Sequence, residues 1–178
     1  MSPQTIKDNS VDVLQNLFCS VVGSYIEQVD QMKLEVHQLK NNVHLMFSVE
    51  ASDMGYVVGI DGVNIRALQF IFNTLGVNLG LNVSVRLIDP TRTVPAQKKR
   101  WVKNNDWPKE KVLAVFKKLL GYLYPSFRLD HMDLKDGTTT IVIEFHPENL
   151  KKELEEHLTR LMSSALRKNG RIPQITFC

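Results

Sequence analysis

Two glycines three residues apart, Gly59 and Gly62, separate a short apolar run at Val57-Val58 from an amphipathic stretch that continues to about Leu75. Glycine has no Cβ, so its backbone comes close to other chains and takes φ values that other residues resist. A loop of this kind that opens a helix also leaves the first amide N–H groups without internal partners, which suits an anion such as phosphate. Two glycines at this spacing are common by chance, so the flanking residues carry as much information as the glycines.

Those flanks are Asp53-Met54-Gly55-Tyr56-Val57-Val58 before the loop and Ile65-Arg66-Ala67-Leu68-Gln69-Phe70-Ile71 after it. The segment resembles the KH domain, a single-stranded RNA-binding module whose GxxG loop joins two helices and clamps the nucleic-acid backbone. The run G-x-x-G-x-x-I-x-A-L-Q-F-I is especially similar to the small bacterial KH proteins KhpA and KhpB (Jag). The resemblance covers roughly Asn9 to Asp89 and implies the prokaryotic (type II) order of elements, α-β-β-α-α-β. The tandem plan described below leaves room for a phage-encoded relative, resembling the KH protein associated with the nucleus-like compartment of jumbo phages.

The chain has 178 residues, 43% of them hydrophobic and 23% charged, which predicts a packed core rather than disorder. No apolar run is long enough to span a bilayer and the N-terminus lacks a basic-then-apolar export signal, so a cytoplasmic protein is expected, in the bacterial host if phage-encoded. Cys19 and Cys178 have no metal spacing and read as reduced thiols. The net charge of +3 conceals an uneven distribution. Residues 1–90 hold 5 basic and 9 acidic side chains, residues 91–125 hold 9 and 2, and residues 126–178 hold 8 of each. The expected electrostatic footprint of a nucleic-acid binder therefore lies in the middle of the chain, away from the glycine loop.

Periodicity divides the chain into two halves with one plan. In the first, Leu14, Leu17, Phe18, Val21 and Tyr25 mark one face of a helix that starts at about Asn9 or Ser10, either of which suits an N-cap. A hairpin follows, Met32 to Leu39 and Val43 to Glu50 around Lys40-Asn41-Asn42; after the glycine helix, Leu81 to Leu87 alternates as a closing strand. In the second half, a helix begins near Pro108, with Val112, Val115, Phe116, Leu119 and Leu123 on its apolar stripe. A hairpin from Phe127 to Phe145 turns at Lys135-Asp136-Gly137, a helix runs from about Glu148 to Lys168 and ends at Gly170, and Ile172 to Phe177 forms a last strand. The predicted fold class is α+β, a tandem pair of KH-like modules. Domain boundaries follow: residues 1–90 with the GxxG loop, a basic linker at 91–107, and a degenerate second module at 108–178 without GxxG. The alternative is a generic α/β domain of similar order.

In KH domains, about four unpaired nucleotides lie between the GxxG helices and an edge strand. Carried over to this chain, the resemblance makes Gly59 and Gly62 the points of backbone approach and sets Ile60 and Asp61 against the phosphates. It lines an apolar floor with Val58, Val63 and Ile65, and it puts Arg66 one turn into the helix. The family commonly carries Lys or Arg between the glycines, where this chain has Ile60 and Asp61; a carboxylate about 4 Å from a phosphate costs on the order of 1 kcal/mol in water. Leu68 and Ile71 read as core. In the middle segment, Arg92, Lys98, Lys99, Arg100 and Lys103 surround Trp101, with Trp107 beyond. Cations neutralise phosphates and an indole stacks on a base, so RNA contact is one reading. A solvated linker whose tryptophans pack on a domain is the other. Lys111 and Lys118 share a helix face and extend the basic strip.

The five histidines have no metal-ligand spacing, and no nucleophile motif or Walker-type loop occurs, so neither cofactor, metal nor catalysis is expected. The expected function is single-stranded RNA binding, on messenger RNA or other transcripts, with the second module as a packing, homodimer or protein-interaction platform. A scaffold that keeps the fold and has lost the ligand is the alternative from another class; double-stranded DNA binding is a third.

Overall fold

The computed structural model describes residues 3–89, 108–123, 131–135, 138–143, 152–166 and 174–177. Its first helix, α1 (Pro3–Gly23), starts well before the expected cap, so Asn9 and Ser10 lie inside it. Apolar periodicity cannot locate turns made of polar residues, and the fixed φ of Pro3 suits a first helical position. The hairpin β1 (Lys33–Leu39) and β2 (Asn42–Ser48) pairs Leu39 with Asn42, leaving a two-residue turn at Lys40-Asn41 with Lys40 at φ 56°. Val43, Leu45 and Phe47 of β2 point into the core, while His44, Met46 and Ser48 occupy the other face.

The chain then forms α2 (Met54–Val58), a single turn at Ile60–Gly62, α3 (Val63–Asn78) and β3 (Asn82–Leu87). Strand β3 lies parallel to β2, which is central in a mixed sheet of order β1-β2-β3. A parallel neighbour needs a crossover, and α2 with α3 provides it. Phe18 of α1 meets Phe47 and Phe72 edge-on, with ring centroids 4.9 and 5.0 Å away, which locks α1, the sheet and α3 together.

The second half gives α4 (Lys109–Leu123), β4 (His131–Lys135), β5 (Thr138–Ile143), α5 (Lys152–Leu166) and β6 (Gln174–Phe177). Its sheet has the same pattern, β4 antiparallel to β5 and β5 parallel to β6. The turn at Asp136-Gly137 and the stop at Gly170 lie outside the described residues. Between the parallel strands stands the single described helix α5, where the first half has α2, a glycine turn and α3.

Helix α3 packs on α5, and α1 on α4. Ser164 faces Asn64 and His157 faces Phe70, so α3 and α5 run antiparallel. At the far end of α3, Asn78 Nδ2 donates to the carbonyl of Leu123 at 2.8 Å. Buried apolar side chains of α4 and α5, such as Phe116, Leu119, Leu158 and Leu161, join those of the first half in one continuous core. The architecture is α+β and compatible with a KH-like fold. Among the described residues, no helix is long and apolar enough to cross a membrane.

Candidate nucleic-acid interface

The glycine turn is built from three residues with positive φ: Gly59 (71°), Asp61 (53°) and Gly62 (74°). Aspartate is among the few non-glycine residues that tolerate the left-handed region, which gives Asp61 a conformational reason to occupy this turn. At Gly59 a Cβ would lie 2.8 Å from Asn64 Cγ, so side chains are excluded by space as well as by φ. At Gly62 a Cβ would lie 3.2 Å from Arg66 Nη1. The guanidinium of Arg66 therefore folds back over the turn and brings a cation to the position that Ile60 and Asp61 leave without one. No side-chain hydrogen bond caps the start of α3, and the turn closes on itself, with Gly62 N–H donating to the carbonyl of Gly59 at 3.2 Å and Val63 N–H to that of Ile60.

Two buried polar residues hold this geometry. The Asp53 carboxylate, fully buried, accepts hydrogen bonds from the backbone N–H groups of Glu27 (2.9 Å) and Gln28 (2.8 Å), fastening α2 to the segment after α1. Asn64, only 8% exposed, donates from Nδ2 to the carbonyl of Tyr56 at 2.7 Å and ties α2 to α3 across the turn. Its Oδ1 accepts from Ser164 Oγ of α5 at 3.4 Å. The turn itself stays open: Ile60 is 80% exposed and Asp61 is exposed beside it. Tyr56, one turn earlier, is 39% exposed and donates to Glu27 Oε1 at 3.4 Å. Burial, with the carboxylate of Glu27 second, raises its phenol pKa.

Along α3 the outward stripe continues from Arg66 to Gln69 and Asn73. Gln69 Nε2 donates to the carbonyl of Val85 at 3.2 Å, and Asn73 Nδ2 to that of Val83 at 3.3 Å. Strand β3 is an edge strand, and the amides of Asn82 and Ile88 point toward β2, so the carbonyls of Val83 and Val85 are on its outer side. Two side chains thus occupy acceptors on the outer edge of β3. On the other flank His157 of α5 stacks at a tilt on Phe70, ring centroids 4.7 Å apart. Burial lowers the His157 pKa; Glu153 pulls it upward, and Arg160 and Arg66 push it down.

Of the residues the sequence singles out, Gly59, Ile60, Asp61, Gly62, Val63 and Arg66 converge on one surface. Val58, Val63 and Ile65 are half-buried beneath it, and Leu68 and Ile71 are fully buried core. Arg92, Lys98, Lys99, Arg100, Trp101 and Lys103 lie outside the described residues. Lys111 and Lys118 are exposed on α4. His44 Nδ1 meets Ser84 Oγ of the neighbouring strand at 2.6 Å, a cross-strand contact. Sequence reading passed over Asn64, Tyr56 and Arg160. A polar residue two positions after the second glycine is a usable signal for Asn64; nothing local marks Arg160, because the pairing of α3 with α5 is not written in either helix alone. Family models, curated proteins and solved structures give no match to this chain.

Proposed function

We propose that this chain is a non-catalytic single-stranded RNA-binding protein built from two KH-like modules of the type II order, the second degenerate, acting on transcripts. The observation that carries the reading is the turn at Gly59–Gly62, exposed at its tip and with the Arg66 guanidinium folded over it. Close backbone approach at the glycines and one cation at an exposed turn suit a phosphodiester chain. They hold the sugar–phosphate backbone without reading bases, so sequence preference is weak. The side-chain closure of the β3 edge by Gln69 and Asn73 points the same way, since it removes carbonyls from base contact.

Anisotropy titration of a labelled single-stranded RNA at two salt concentrations tests this. Binding should weaken steeply with salt, Arg66→Ala should lower the salt slope by about 0.7, and Ile60→Lys should tighten binding. Replacing Lys98, Lys99 and Arg100 with Ala should weaken it further. Salt-insensitive or absent binding overturns the reading, and a preference for duplex DNA replaces it with another. One observation favours a protein-interaction scaffold instead: Ile60 and Tyr56 present apolar surface at the tip of the turn.

A further inference from the structure

We infer that the strand-binding surface does not end at the first half: Arg160 of α5 and Arg66 of α3 form a two-arginine clamp that grips neighbouring phosphates of one single strand. The inference rests on the reading of the glycine turn as an RNA contact.

The clamp follows from the register of the two helices. On α3, Arg66 is one turn from Gly62 on one side and from Phe70 on the other. On α5, Arg160 is one turn from His157 and from Ser164. Phe70 meets His157 and Asn64 meets Ser164, so with the helices antiparallel the two arginines stand at nearly the same level. Both are exposed, and both lie close enough to the His157 imidazole to disfavour its protonation. Among the described residues, neither guanidinium has an ion-pair or hydrogen-bond partner. Guanidinium forks suit phosphate oxygens, and two of them beside an open turn define a path for a polyanion.

Charge along α5 gives the path a direction. Glu153 and Glu156 lie toward its N-terminal end, which the antiparallel packing sets near the C-terminal end of α3, and Glu153 approaches His157 Nε2 at 4.0 Å. Arg160 lies on the side of the glycine turn. A strand is thereby drawn to the turn end of the helix pair and repelled from the other end. The second half thus takes part in binding, although it has no glycine loop in the described residues.

The test uses the full chain and a short oligouridylate. Arg160→Ala should weaken binding several-fold and lower the salt slope by about 0.7, as Arg66→Ala does, while Arg160→Lys retains most of both. Arg86→Ala, on the opposite face of the sheet, should change neither. A second readout is the NMR titration of His157, identified by its loss in His157→Gln: saturating RNA should raise its pKa, because phosphates then sit beside the ring. If Arg66→Ala weakens binding but Arg160→Ala leaves affinity, slope and the His157 titration unchanged, the clamp is wrong and the glycine-turn reading stands. If the wild-type chain does not bind RNA, both fall.

Discussion

Single buried polar groups separate what holds this fold from what merely sits in it. The Asp53 carboxylate is fully enclosed and serves two backbone donors, so Asp53→Ala strands both N–H groups and should cost about 2–4 kcal/mol in urea unfolding. The same change should loosen the glycine turn, because α2 loses its tie to the segment after α1. Tyr25 presents the reverse case. Among the described residues its hydroxyl is buried without a hydrogen-bond partner, and burial drives its pKa far up. Removing that oxygen in Tyr25→Phe relieves a desolvation cost and should stabilise the protein by about 1 kcal/mol in the same assay. Asp53 stands in the sequence just before α2, but its partners Glu27 and Gln28, 26 and 25 residues away, could not be read from it.

At the scale of elements, the close approach of α3 to β3 depends on one residue. Gly76 has helical backbone angles, so alanine there should gain about 1 kcal/mol from propensity alone. A Cβ at that position would lie 2.9 Å from Val83 Cβ and 3.0 Å from the carbonyl oxygen of Leu81; Val83 is held in a strand paired with β2, and Leu81 is tied to the helix end by its N–H bond to the Gly76 carbonyl at 2.8 Å. Gly76→Ala should therefore lose about 1–3 kcal/mol net by thermal melting, the sign opposite to that of an exposed helix glycine. The elements themselves were legible: Val43, Leu45 and Phe47 alternate as a strand with one buried face should, and Leu68, Ile71 and Leu75 mark the inner side of α3. What periodicity missed lies at polar ends. It began α1 too late, since Pro3 to Asn9 carry no apolar repeat, and it could not show that β3 runs parallel to β2.

For the molecule as a whole, the joint between α3 and α5 contains a titratable group. Burial lowers the pKa of His157 below its ordinary 6.5, so the unfolded chain binds the proton more readily than the folded one. The stability this group allows is complete above pH 6.5 and is lost as pH falls below it toward the depressed folded value. Melting temperatures compared at about pH 7.5 and 5.5 should fall for the wild type, and fall less for His157→Gln. The site divides along similar lines. The glycines, Ile60, Asp61 and Arg66 were readable because they are contiguous, whereas Arg160 joins them only through the docking of one half on the other.

That docking has a thermodynamic consequence. Phe116 and Leu119 of α4 and Leu158 and Leu161 of α5 share their interior with Phe18, Phe47 and Phe72, so neither half can expose its apolar side chains without uncovering those of the other. Heating should produce one cooperative transition, with calorimetric and van't Hoff enthalpies in agreement, rather than two steps as for beads on a string.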